Sequence, residues 1–327
     1  MQHYIIVVGY GWSGSSAIVD LLKEFRNVAI PEIEFRLIKD PYGISNLENN
    51  LMNEWDFINS DAAINDFLWL VKKCSKNCNH FYSPIGLNYK KKLNRNIEKL
   101  TEEYIKSIVD FEYIGNNYHR EFKKPYLRSV LRRLSIPISR KTNNLINIPY
   151  REEKIYFSKP SYEIFLKATQ KYIHDLFKPY FKKHEIVVLD QAISPLHPDS
   201  MKYFENAKMI IVDRNACDIY IDLKKNQSLI GLALNKDIKA DKYINWHKKI
   251  RNISCNSENI LNIKFEDLII KYEETIKNII KFIGWDLGEH NYKKYYFDPK
   301  YSIKNVNLPI GEYCSKDQIV QIKKEIH

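Results

Sequence analysis

Three groupings of residue types in this sequence could do chemistry. The first is Gly9-Tyr10-Gly11-Trp12-Ser13-Gly14-Ser15-Ser16, which directly follows the apolar run Tyr4 to Val8. A Gly-x4-Gly frame between a strand and a helix lets successive backbone N–H groups and the helix N-terminus cradle an anion such as phosphate. A tight turn built of small residues is the alternative reading of the same segment. Ser15 stands where a nucleotide triphosphatase needs the lysine that contacts its β- and γ-phosphates, so NTP hydrolysis lacks its main cation here. The loop is read as a phosphate cradle rather than as a dinucleotide fingerprint. The second grouping is Glu32-Ile33-Glu34-Phe35-Arg36, about twenty residues past the loop, which pairs carboxylates that could take a proton with an arginine that could hold an anion. The third is Arg214-Asn215-Ala216-Cys217-Asp218, after the apolar run Met209 to Val212. An arginine at a strand's C-terminal end can grip a phosphate bidentately beside the next helix N-terminus. Cys74-x3-Cys78-x-His80 offers three zinc-type ligands at non-standard spacing with no fourth, so no metal is expected.

These groups need strands and helices to bring them together, and the pattern supplies candidates. Tyr4 to Val8 reads as a buried parallel strand, followed by a helix with Ile18, Leu21, Leu22 and Phe25 at helical spacing. Further on, 185–189, 209–212 and 260–265 read as strands, with helices over 198–204, 216–225 and 272–283 between and after them. Such alternation predicts an α/β fold, a three-layer αβα arrangement around a central, mainly parallel sheet. The stretch 45–155 lacks this rhythm. Its aromatic-rich helical patterns (55–71, 93–110, 126–134) and the loop-like 135–147 predict a helical insertion.

Length and composition bound the rest. At 327 residues and 44% hydrophobic content, the chain can bury a large core, and disordered or collagen-like classes are excluded. No apolar run approaches the roughly 20 residues of a membrane span, no leader pattern opens the chain, and five scattered cysteines do not form a disulfide framework, so the expected compartment is the cytoplasm. The formal net charge of +11 favours anionic partners, and it gathers between Lys90 and Arg151. Within that stretch Leu127, Val130, Leu131 and Leu134 share a helix face against Arg128, Arg132 and Arg133, a pattern suited to packing on a core, to a peripheral membrane contact or to an acidic glycan.

The loop with Ser-Gly-Ser-Ser in place of Gly-Lys-Ser resembles the 5′-phosphosulfate loop of sulfotransferases that use 3′-phosphoadenosine 5′-phosphosulfate, a P-loop-like fold. The segment Lys208 to Tyr220 resembles that family's 3′-phosphate segment, and 265–285 is similar to its structural Tyr-Glu-Asp-Leu … Phe-Leu-Gly stretch. Asp298-Pro299-x-x-Ser302-x-Lys304-Asn305 is similar to the late segment that closes over the nucleotide in bacterial members. The resemblance covers about 4–44 and 185–305 and leaves the insertion uncovered.

It implies one sulfotransferase domain over 1–327 with an acceptor-side insertion at about 45–155. It implies nucleotide contacts from Gly11, Trp12, Ser13, Gly14, Ser15, Ser16, Arg214, Asp218, Ser302, Lys304 and Asn305. The catalytic set is Glu34 as general base with Glu32 behind it, Arg36, and Gln191 as a donor to the acceptor or a sulfuryl oxygen; His197 reads as a surface or capping histidine. The implied reaction moves a sulfuryl group from 3′-phosphoadenosine 5′-phosphosulfate to a hydroxyl of a glycan or glycolipid intermediate, requires no metal and involves no nucleic acid. The carbohydrate and tyrosylprotein branch of the family is the nearest in motif. Two positions depart from the pattern. Trp12 stands where the family has Lys or Arg, leaving Arg36, Lys39 or Lys304 as substitutes, and Asp222 stands at a phosphate-binding serine position, where it is expected to point away. A kinase with a degenerate loop and an inactive nucleotide-binding protein are the rival readings.

Overall fold

The computed structural model describes residues 3–77, 86–117, 127–141, 152–226, 239–252, 257–311 and 313–326. Among them are seven strands: β1 (His3–Gly9), β2 (Val28–Ala29), β3 (Phe111–Gly115), β4 (Glu153–Phe157), β5 (Ile186–Asp190), β6 (Ala207–Asp213) and β7 (Ile260–Lys264). The chain divides into two compact units, Met1–Ile38 with Leu176–His327, and Lys39–Asp175.

The first unit is built on a five-stranded sheet in the order β2-β5-β1-β6-β7, with every pair parallel. Its central strands bury both faces, as parallel strands flanked by helices must. On one face Ile5, Val7, Val188, Ile210 and Val212 pack with Ile18, Leu21 and Leu22 of helix α1 (Ser15–Leu22) and with Phe265 and Leu268. On the other, Tyr4 meets Phe177, Phe181 and Phe204 edge-on or tilted, at 5.1–5.9 Å between ring centroids. The continuous apolar runs of the sequence therefore become strands covered by a packed layer on each face of one sheet. The helices Ala216–Asn226, Ala240–Arg251 and Lys316–Ile326 form a further cluster around Tyr220, Leu223, Tyr243 and Ile322.

Register fixes the position of the chemistry. Val7 lies opposite Asp190, and Gly9 opposite Val212, so the carboxyl ends of β5, β1 and β6 form one edge. The segments leaving that edge begin at Tyr10, Gln191 and Arg214, where an open α/β sheet binds its ligands. Gly9, Gly11 and Gly14 also have the spacing of a dinucleotide fingerprint, but in that fold the first two strands are neighbours. Here β5 lies between β1 and β2.

The second unit carries the helices Phe57–Ser75 and Ile97–Ile108 and the greater part of Tyr162–Phe181. Two sequence expectations change here. The stretch expected to hold helices and loop contains an antiparallel pair, β3 with β4, in which Phe111 and Phe157 stack at 4.7 Å. Its fold is fixed by the buried Asp61, which accepts hydrogen bonds from Asn117 Nδ2 (2.6 Å) and the Tyr156 amide (3.0 Å), a link that no local pattern announces. The segment read as a loop from Ser135 continues as helix to Lys141, through Pro137, and 142–147 lies outside the described residues. In that helix Leu127, Val130, Leu131, Leu134 and Ile138 are exposed rather than packed. Tyr126, Arg151, Cys78 and His80 also lie outside the described residues, whereas Cys74 is buried in its helix. No helix among the described residues is long and apolar enough to cross a membrane.

Candidate functional site

The loop after β1 is shaped by left-handed backbone. Gly11, Trp12 and Gly14 have φ of 84°, 55° and 84°. At Gly14 a side chain meets two obstacles. The dihedral disfavours any L-residue, and a Cβ would lie 2.5 Å from the Phe265 ring. Gly9 has a regular dihedral but no room, since a Cβ there would lie 2.1 Å from Ser13 Oγ. Gly14 caps α1, and no acidic residue in the first turn offsets the positive end of its dipole. Serines 15 and 16 open that helix end onto a cleft of about 530 Å³, within the range of small-molecule sites.

Side chains from distant elements brace the loop. The Arg251 guanidinium lies over the Tyr10 ring at 4.6 Å and is held by Asp213 through Nε and a terminal nitrogen, at 2.8 and 2.5 Å. Gln191, itself left-handed with φ 52°, donates from Nε2 to Ser15 Oγ at 3.0 Å. Arg214 is buried beside the loop, 5.3 Å from the Phe265 ring centroid. It donates to the Trp12 carbonyl (3.1 Å), to Asp222 Oδ2 (2.6 Å) and to the Asn305 carbonyl (2.6 Å).

The opposite wall comes from the C-terminal part of the chain. Lys294, Tyr295, Tyr296, Ser302 and Asn305 line the cleft. Their segment is tied back by Glu24, which is fully buried two residues past α1. Its carboxylate accepts from the backbone N–H groups of Lys294 (3.0 Å), Tyr296 (3.0 Å) and Phe297 (2.9 Å), and lies 2.6 Å from His290 Nε2. Tyr272 lies against this wall, with its ring 6.2 Å from that of Phe297 and the Lys294 ammonium 5.2 Å above it. Burial, and next the Glu24 charge, push the Tyr272 phenol well above its ordinary range, so it stays neutral.

Of the residues singled out in the sequence, Gly11 to Ser16, Gln191, Arg214, Ser302 and Asn305 line this one cleft. Others do not. Asp218 is buried with its carboxylate accepting the amides of Asn307 (2.9 Å) and Leu308 (2.8 Å), so it shapes the Asn305 to Leu308 turn instead of facing a ligand. Lys304 is exposed and absent from the lining. Glu34 and Arg36 also stand outside the lining, half-exposed and 3.7 Å from each other. Asp222 corrects its expectation. It does not point away but lines the cleft, drawn in by the buried guanidinium that would otherwise lack a counter-charge. Arg36, Lys39 and Lys304 are the substitutes expected for the Lys or Arg that Trp12 replaces, yet the lysine in the lining is Lys294. Glu24, His290 and Lys294 escape a sequence reading because their partners lie about 270 positions apart. The one local sign is an acid placed between the apolar Leu22 and Phe25.

No protein-family model matches the chain, and no curated protein matches it. Among solved structures, the sulfotransferase domain from the Synechococcus PCC 7002 olefin synthase is similar at a TM-score of 0.40 and 11% identity, over 99% of this chain and 94% of that one. The sulfotransferase STF1 from Mycobacterium tuberculosis H37Rv is similar at a TM-score of 0.38 and 12% identity, over 99% and 76%. Retinol dehydratase, in complex with androsterone and the inactive cofactor PAP, is similar at a TM-score of 0.32 and 14% identity, over 99% and 79%.

Proposed function

We propose that this protein is a sulfotransferase, moving a sulfuryl group from a nucleoside 5′-phosphosulfate to a hydroxyl of an acceptor. The observation that carries the reading is the loop Gly11 to Ser16. It presents a helix N-terminus and left-handed backbone to one cleft, without the lysine of a triphosphatase, and shares that cleft with Arg214 and Gln191. The donor implied by the sequence resemblance is 3′-phosphoadenosine 5′-phosphosulfate, and the acceptor class it implies is a glycan or glycolipid intermediate. The segment 45–155 is the proposed acceptor side, and its exposed apolar and basic helix is the proposed site of a peripheral membrane contact.

In the reaction the acceptor oxygen attacks sulfur in line as the bond from sulfur to the bridging phosphate oxygen breaks, and the nucleotide leaves with that electron pair. The loop amides and the end of α1 stabilise the charge left on the phosphate. Lys294 is the proposed cation for the leaving oxygen, replacing the Lys or Arg absent at Trp12. Gln191, whose Nε2 bonds to Ser15, is the proposed donor to a sulfuryl oxygen. Glu34 is the proposed base for the hydroxyl proton, which requires its carboxylate to turn from Arg36 toward the acceptor. Positioning and charge stabilisation thus supply the catalysis, as in phosphoryl transfer.

The reading is tested by transfer of a radiolabelled sulfuryl group from 3′-phosphoadenosine 5′-phosphosulfate or adenosine 5′-phosphosulfate to a panel of hydroxyl acceptors. Label in an acceptor product supports it. Failure of calorimetry to detect binding of any adenosine 5′-phosphate derivative overturns it. Binding without transfer favours a nucleotide-binding protein without turnover, a reading for which the Arg214–Asp222 pair already speaks.

A further inference from the structure

We infer that Asp222 sets the nucleotide specificity of the cleft: by engaging Arg214 it selects a nucleotide with free ribose hydroxyls over one that carries a ribose phosphate. This rests on the nucleotide reading above and narrows its donor. Arg214 is the arginine of the cleft lining, and its side chain is 5% exposed. Its donors are engaged by Asp222 Oδ2 at 2.6 Å, the Trp12 carbonyl at 3.1 Å and the Asn305 carbonyl at 2.6 Å. Of the two donors left, one on Nη2 and the Nε–H, the Nε–H is buried with no hydrogen-bond partner. A phosphate that grips the Nη1–Nη2 edge must therefore displace Asp222 or a backbone carbonyl, and the other edge is closed off by the burial of Nε.

Charge points the same way. The Arg214–Asp222 pair is neutral as a unit, and the other charged groups of the lining are Lys294, Asp298 and Asp20, the last paired with Lys23 at 2.6 Å. A cleft with three carboxylates and two cations can hold one phosphate on loop amides. It has no surplus for a second dianion placed beside Asp222, where like charges repel at short range. A carboxylate suits a different group. An ionised phosphate has no proton to donate, whereas a ribose hydroxyl does, and carboxylates at the mouths of α/β sheets take ribose hydroxyls where arginine takes a ribose phosphate. The Asp222 side chain is 21% exposed and keeps acceptor capacity in its second oxygen while Oδ2 holds Arg214.

Calorimetry on the full chain with adenosine 5′-phosphate and adenosine 3′,5′-bisphosphate tests this, using the wild type, Asp222→Asn and Asp222→Ser. The wild type is expected to bind the monophosphate at least as tightly as the bisphosphate. Both variants are expected to shift the ratio of dissociation constants at least tenfold toward the bisphosphate. Asp222→Asn keeps the shape and one oxygen for Arg214, and a thermal melt checks that each variant folds; if neither does, the wild-type ratio alone decides. A wild type that prefers the bisphosphate tenfold or more overturns the inference and leaves the sulfuryl-transfer reading standing, as does an unchanged ratio in folded variants. Failure of both nucleotides to bind the wild type overturns the two together.

Discussion

The two walls of the cleft are built by different physics. The loop Gly9 to Ser16 takes its shape from its own backbone, three left-handed residues and a helix start, to which Arg251, Gln191 and Arg214 add braces. The wall from His290 to Leu308 is short helical turns and irregular chain in which Phe297 is the one buried apolar residue, and it is held by buried charges from elsewhere. Glu24 ties down 290–297, while Arg214 and Asp218 tie down 305–308. Both anchors lie where the loop's own supports are, Glu24 just past α1 and Arg214 just past β6. Arg214 joins the two, donating to the Trp12 carbonyl as well as to that of Asn305, whereas a change at Glu24 releases the wall without removing a loop contact.

The largest expected effect comes from the wall. Glu24→Ala leaves three backbone N–H groups and His290 without their acceptor in a fully buried place, at a cost of about 3–5 kcal/mol in unfolding free energy. Urea denaturation reads this, and hydrogen exchange is expected to show the amides of Lys294, Tyr296 and Phe297 losing protection more than those of β1. A cost below about 1 kcal/mol would mean that the wall holds itself, and the contrast drawn above would fail.

This asymmetry also decides what the sequence could reveal. The strand at Tyr4 to Val8, the glycines after it and the helix carrying Ile18, Leu21 and Leu22 are local patterns, and the structure has them in place as β1, loop and α1, with Phe25 three residues past the helix end. The same holds for Met209 to Val212 followed by Arg214. Phe265 and Glu266 were legible as part of a structural stretch. Their contacts were not: the ring against which Gly14 packs, and the carboxylate that takes the Asn215 amide at 2.8 Å. Asp218 was visible as an acid at a helix start and Asp222 as an acid at a serine position of the family pattern, yet their partners, an Asn307–Leu308 turn and a buried guanidinium, follow from tertiary packing. Lys294 was one lysine among many, distinguished from Lys304 only by the bonds that bring its backbone to Glu24. The strands β3 and β4 pair across about forty residues, and the aromatic helical look of their surroundings hid them.

A substitution in the loop probes the other half of the comparison. Gly14→Ala meets both the left-handed dihedral and the Phe265 ring. The dihedral alone costs roughly 1–2 kcal/mol. Combining it with Phe265→Leu, which opens space, is expected to recover part of the loss but not the dihedral share. Nucleotide affinity in the single variant is expected to fall at least tenfold while exchange protection at Tyr296 and Phe297 stays near wild type. Loss of protection at those amides would show that loop and wall move as one piece.

The smallest effect belongs to Gln191, where side chain and backbone make opposite demands. Its Nε2 bond to Ser15 supports the loop, and its removal in Gln191→Ala is expected to cost about 0.5–1.5 kcal/mol. Its φ of 52° is unfavourable for alanine and free for glycine. Gln191→Gly loses the same bond but relaxes the backbone, so it should melt above Gln191→Ala by an amount equivalent to roughly 1 kcal/mol. The two variants should bind nucleotide alike, since neither keeps the amide. If glycine instead binds more weakly than alanine, the dihedral at 191 matters because it aims the chain leaving β5 at the loop. The loop would then depend on a neighbouring strand end as the wall depends on Glu24.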